Sequence, residues 1–134
     1  MSEIAHVFLG GSCGESRWRE ELVIPRLTCT YFNPVVPDWT EECYQNELRH
    51  REGDDICLYV LSPKTKGLYS IAEVVDDSNK RPSKTAFFFL EEEDGFSYTK
   101  DDLKSLRKVG EMIKRNGGAY FTDVDSLIEY LNKY

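Results

Sequence analysis

Residues 54–80 read DDICLYVLSPKTKGLYSIAEVVDDSNK. Ile56 to Leu61 form a near-continuous apolar run, which Pro63 ends. A strand with no polar face must be covered on both sides, and such strands belong to parallel sheets. Past Gly67 the pattern changes. Leu68, Ile71, Ala72 and Val75 recur at i, i+3, i+4 and i+7, the spacing of a helix with one buried stripe. Beside that stripe lie Tyr69 and Glu73, four residues apart, with Asp76 and Asp77 one turn further on. A buried strand that feeds such a helix is the repeating step of an α/β fold.

The same step recurs on either side. AHVFLGG (5–11) is a first strand, and SRWREELVIPRL (16–27) a helix broken near Pro25. CTYFNP (29–34) is a second strand stopped by Pro34, and TEECYQNELRHREG (40–53) a helix with Thr40 as N-cap and Gly53 as stop. KTAFFFLE (84–91) is a fourth strand. Thr99 caps a helix from Lys100 to Arg115 that turns Leu103, Leu106, Val109 and Ile113 inward. AYF (119–121) is a short fifth strand, and Val124, Leu127, Ile128 and Leu131 mark a last amphipathic helix. The polar stretch 91–102 reads as a surface loop. With right-handed crossovers, this alternation predicts one α/β domain over residues 1–134. It is Rossmann-like and doubly wound, with helices on both faces of a five-stranded parallel sheet in the flavodoxin-like order 2-1-3-4-5.

Composition excludes several function classes. The net charge of −7 repels phosphate backbones and anionic membrane surfaces, so neither a nucleic-acid polymer nor a membrane is an expected partner. No apolar run approaches the roughly 20 residues that span a bilayer, and MSEIAHVFLGG lacks a signal-peptide pattern. Cys13, Cys29, Cys43 and Cys57 make no CxxC pair, and only His6 and His50 could join them, so no metal site is expected. Reduced thiols in a cytoplasmic protein are the expectation.

In open parallel sheets, ligands bind at the carboxyl ends of the strands, where strand order reverses. That rule selects three loops: GGSCGESRW, NPVVPDW and SPKTKGLYSIAE. Gly10, Gly11 and Ser12 open the first, where glycines allow close backbone approach to a phosphate or sugar hydroxyl. A tight strand-to-helix turn accounts for them equally. The loop is neither G-x-G-x-x-G nor Walker A. Cys13, in the same loop, is a weaker candidate nucleophile, with no histidine near it in sequence. Asn33 ends the second strand, and it either contacts ligand or turns the chain at Pro34. Trp39 beside Asp38 either stacks on a base or packs as a lid. Asp54 and Asp55 precede the third strand, at the end of the sheet away from those loops. Glu73, two turns into the helix after the third strand and next to Tyr69, is placed to be partly desolvated and so to act as nucleophile or base. An exposed, solvated glutamate is the competing reading.

Taken together, FLGG, the strand-ending Asn33, NPVVPDW, DDICLYVLSP, GLYSIAEVVDDSNKRP and AFFFL resemble the nucleoside 2-deoxyribosyltransferase superfamily, closest to its compact deoxyribosyltransferase-like branch, over residues 5–121. The resemblance implies cleavage of N-glycosidic bonds of a nucleoside or nucleotide, with no cofactor, in a homo-oligomer. It implies a glycosyl-enzyme intermediate on Glu73, resolved by a nucleobase or by water. It assigns the sugar or 5′ group to Gly10 and Gly11, with Asp55 and either Asn33 or Asp38 positioning sugar or base; Asp38 is also a candidate proton donor to the leaving base. Gly67 and Tyr69 join the substrate-binding set. Typical transferases have an Asp six residues before the nucleophile, where this chain has Gly67; they often have Gly after it, where this chain has Val74. The alternative is a protein that binds a nucleotide or nucleotide-derived signal in the same pocket without cleaving it. A response-regulator receiver or a flavodoxin is a third, weaker reading.

Overall fold

The structure, a computed structural model, describes residues 2–133. Five parallel strands form one sheet: β1 Val7–Gly11, β2 Tyr31–Phe32, β3 Ile56–Leu61, β4 Thr85–Phe89 and, after a hairpin of β5 Glu92–Glu93 and β6 Phe96–Ser97, β7 Ala119–Tyr120. Their order is β2-β1-β3-β4-β7, the flavodoxin-like 2-1-3-4-5 counted over this sheet. β3 lies at the centre. Leu58 pairs with Leu9 of β1 and Ala86 of β4, and all six β3 residues are buried.

The α-helices are α1 Glu41–Gly53, α2 Leu68–Lys80, α3 Lys100–Arg115 and α4 Val124–Asn132. Period-two alternation divides the strands between two cores. Val7, Leu9, Leu58, Val60 and Phe88 pack with Trp18, Leu127 and Leu131 on one face. Phe8, Tyr59, Leu61 and Phe87 pack with Val74, Leu106 and Ile113 on the other. Truncating a wholly buried leucine such as Leu58 to alanine costs on the order of 2–5 kcal/mol.

Two local expectations about the elements differ. The first helical segment is a π-helical turn at Arg19–Val23 running into a 3₁₀ turn at Ile24–Arg26. Pro25 has no N–H to continue an α-helix. Trp18 and Arg19 are both drawn inward, the indole N–H to the Ser12 carbonyl (2.9 Å) and the guanidinium to the carbonyls of Leu9 (2.9 Å) and Ser12 (2.6 Å). The stretch 91–102 is a hairpin leading to a capped helix rather than an open loop. Asp94 and Gly95 both take positive φ, 52° and 85°, the pattern of a type I′ turn. Glu93 ties the hairpin down, accepting from the Ser16 hydroxyl (2.7 Å), the Arg17 amide (3.1 Å) and the Ser62 hydroxyl.

At the amino edge of the sheet, Asp54 is wholly buried and accepts from the Ala5 amide and the His50 ring, each at 2.8 Å. Its burial raises the carboxyl above its ordinary range. The His50 ring lies flat on Phe32, centroids 3.7 Å apart. This cluster anchors the start of the chain beneath β3. No helix among the described residues is long and apolar enough to cross a membrane.

Candidate functional site

A cavity of about 860 Å³ opens at the carboxyl ends of β1 and β3. Its floor is β1 and the turn that follows. Glycine is required there: Gly11 has φ 120°, and a Cβ on it would meet the Val60 backbone, 2.6 Å from the nitrogen. A Cβ at Gly10 would lie 2.7 Å from the Tyr59 ring. The glycines therefore bring backbone close to the cavity and let β1 pack against β3. Ser12 is buried, and its hydroxyl accepts from the Ser62 amide (2.9 Å), joining the loops after β1 and β3. Arg19 also lines the floor, but its guanidinium is committed to backbone carbonyls and braces the glycine turn.

The roof is the segment from Pro34 to Trp39, and the far wall is the start of α2. Trp39 meets Tyr44 edge-on, centroids 5.5 Å apart. Tyr69 stands at the rim, 65% exposed, close to Tyr44. With Phe8 below, these rings make a slot suited to a flat, largely apolar group. Gly67 precedes α2 at φ 60°, a left-handed turn that brings the helix start over the cavity.

Glu73 forms part of the α2 wall, its side chain 19% exposed. Burial lifts its carboxyl to about 7; Arg51 pulls it down, and the neighbouring charges of Glu47 and Asp77 add to the rise. The Arg51 guanidinium lies 3.6 Å from it. Facing the same cavity from α1 is Glu47. Burial raises its carboxyl too, against the pull of the nearby Trp39 indole N–H and the charges of Arg51 and Arg19. Two glutamates thus share one cavity, both held above the ordinary carboxylate range by desolvation. Each carboxyl is a group that attacks carbon when ionised and donates a proton when neutral.

Of the residues selected from the sequence, Gly10, Gly11, Ser12, Trp39, Gly67, Tyr69 and Glu73 line the cavity, as does Cys13. The lining does not include Asn33, Asp38 or Asp55. Asn33 turns its own chain, accepting from the Val35 amide (3.1 Å). Asp38 offers its backbone carbonyl to Cys43 of α1. Asp55 sits at the amino end of β3, 71% exposed, paired with His6 at 2.9 Å. Sequence reading missed Glu47. Its one signal was the i, i+3, i+7 spacing of Tyr44, Glu47 and Arg51 on α1. All four cysteines are free, and among the described residues no group of three His, Cys, Asp or Glu could hold a metal.

No curated protein and no solved structure matches the chain. A family model described as "Nucleoside 2-deoxyribosyltransferase like" matches residues 4–86. That match runs from ahead of β1 to the second residue of β4, more than half the chain, and contains every residue that lines the cavity. The chain belongs to the nucleoside 2-deoxyribosyltransferase-like family.

Proposed function

We propose that this protein breaks the N-glycosidic bond of nucleosides, with Glu73 as nucleophile. The observation that carries this reading is the Glu73 carboxyl, largely desolvated in the wall of a nucleoside-sized cavity on the carboxyl edge of the sheet. In the first step a Glu73 carboxylate oxygen bonds to the anomeric carbon. The C1′–N bond breaks, its electron pair goes to the base nitrogen, and the base takes a proton from the Glu47 carboxyl. The negative charge of Glu73 stabilises the oxocarbenium-like state on the way to the ester. In the second step water or another base attacks the same carbon, Glu73 leaves, and Glu47 regains a proton. Glu47 thus takes the proton-donor role that sequence reading offered to Asp38.

A 5′-hydroxyl fits better than a 5′-phosphate. Arg17 is paired with Glu21 (3.1 Å) and Lys64 with Asp94 (2.8 Å), and Glu93 takes the hydroxyls of Ser16 and Ser62. The cavity holds two carboxylates against one guanidinium already spent on backbone. Apolar residues on the rim, Leu68 at 71% and Trp39 at 56% exposed, fit a homo-oligomer that covers the mouth with a second copy. Free cysteines fit a reducing cytoplasm.

One observation favours a second reading, binding without turnover: Gly67 has no side chain to orient a sugar hydroxyl. Incubation with deoxynucleosides, followed by chromatography of free base, separates the two. Base release that Glu73→Ala abolishes in a folded protein supports the enzyme. Turnover unchanged in Glu73→Ala refutes it. Thermal stabilisation by a nucleoside with no base released favours the binding protein.

A further inference from the structure

Arg51 has no part in the steps above, yet it is the cation nearest Glu73. It comes from the last turn of α1, and its side chain is 8% exposed. Its guanidinium is divided among three carboxylates. One edge forks onto Asp77 of α2, with Nε at 3.3 Å and Nη2 at 2.8 Å. Asp77 is itself wholly buried and fixed by the Tyr59 hydroxyl (2.6 Å) and by Arg81. Nη2 also reaches Asp76 at 3.4 Å. The remaining amino group, Nη1, faces Glu73 at 3.6 Å, beyond ordinary hydrogen-bond length. The other titratable groups around Glu73 are Glu47 and Tyr44 from α1 and Tyr69 and Asp77 from α2.

This division has a chemical consequence. A carboxylate that must attack carbon needs to be ionised, and it needs an oxygen lone pair not already occupied by a strong donor. A forked guanidinium on Glu73 would meet the first need and defeat the second. Here the fork goes to Asp77, and Glu73 feels only the field. We propose that Arg51 is a positioning residue for Glu73: clamped by Asp77, it favours the ionised form of the Glu73 carboxyl and holds it in the cavity wall without occupying its oxygens. This rests on the reading of Glu73 as nucleophile, and it adds the group that sets the pH range in which Glu73 can attack.

The test follows the Glu73 carboxyl directly by ¹³C NMR titration, assigned by difference from Glu73→Gln, in wild type, Arg51→Gln and Arg51→Lys. Loss of a cation this close should raise the Glu73 midpoint by about 1–3 pH units in Arg51→Gln. The acid limb of kcat/KM for base release should move with it, lowering the rate at pH 7 at least about fivefold. Lysine restores the charge and should bring the midpoint back toward wild type. If Arg51→Gln does not fold because Asp77 is stranded, Arg51→Gln/Asp77→Asn carries the same titration. The midpoint should still rise, since Arg51 acts on Glu73 more strongly than Asp77 does. An unchanged Glu73 midpoint in a folded Arg51→Gln or double variant overturns the proposal. If the protein releases no base from any nucleoside, the glycosidic reading fails, while the titration still decides the role of Arg51.

Discussion

Desolvation of Glu73 should cost the protein stability, and the cost should depend on pH in a calculable way. Its carboxyl titrates near 7 in the folded chain and near its ordinary 4.5 in the unfolded chain. Between those values the folded state holds a proton that the unfolded state has lost, so stability falls as pH rises. Below the unfolded value both states are protonated and the favourable contribution is complete; above the folded value it is gone. Each pH unit of separation corresponds to about 1.4 kcal/mol. Allowing for the fifth of the side chain open to water, the loss is on the order of 2–3 kcal/mol. Glu73→Gln keeps the shape and removes the titration, and Arg51 keeps Asp77 and Asp76 as partners. Urea unfolding of both proteins from pH 4 to 8.5 at constant ionic strength measures the difference, in which groups common to both cancel. The two should be of similar stability at the acid end, and Glu73→Gln should lead by about 2–3 kcal/mol at the alkaline end. A gap that does not change with pH, or a variant that is the weaker of the two at pH 8.5, would refute a desolvated carboxyl at this position.

Glu47→Gln should lower kcat/KM for base release by about 10²- to 10⁴-fold, the usual worth of a general acid. It should also remove the alkaline limb of the pH–rate profile, and a substrate whose leaving base needs no proton should recover most of the rate. Gly11→Ala sets a Cβ against the Val60 backbone at φ 120° and should destabilise the fold by at least about 3 kcal/mol, read from its urea midpoint.

The fold was legible wherever one element carried its own signal. The apolar run of β3 and the Thr99 start of α3 needed no knowledge of neighbours, and α3 spans Lys100–Arg115 as its pattern predicts. Thr99 and Asp102 complete a capping box there. The stripe of α2 departs from its pattern: Leu68 and Ala72 are exposed, Ile71 and Val75 half-buried, and the helix buries Val74, Asp77 and Ser78 instead. Elsewhere the decisive forces are not local. Arg19 has the residue type of a surface helix, yet tertiary contact draws it beneath the glycine turn, and an α-helix gives way to a π turn. Glu47 lies on a helix with hardly any apolar stripe, so the spacing of Tyr44, Glu47 and Arg51 marks a shared face but not that this face meets the cavity. Asp38 and Asp55 had suitable chemistry near strand ends, but position along the chain does not say where a carboxylate points. The Asp94-Gly95 pair, by contrast, was a readable turn signal inside a stretch taken as loop.

Gly67 shows how deeply a departure from the transferase pattern can be set. Replacing it with aspartate would require more than one added side chain. The new Cβ would lie 3.0 Å from the Leu61 side chain, on a backbone at φ 60° that costs an L-residue about 1–2 kcal/mol. The same turn brings the start of α2 over the cavity, with Glu73 two turns further along. Relaxing the turn to seat an aspartate would shift Tyr69 and Glu73 with it. The backbone that aims Glu73 and the missing carboxylate at 67 are therefore one feature. Any orientation of a sugar hydroxyl has to come from other polar groups around the cavity, such as Ser70 in the first turn of α2 or Thr65 in the loop before it.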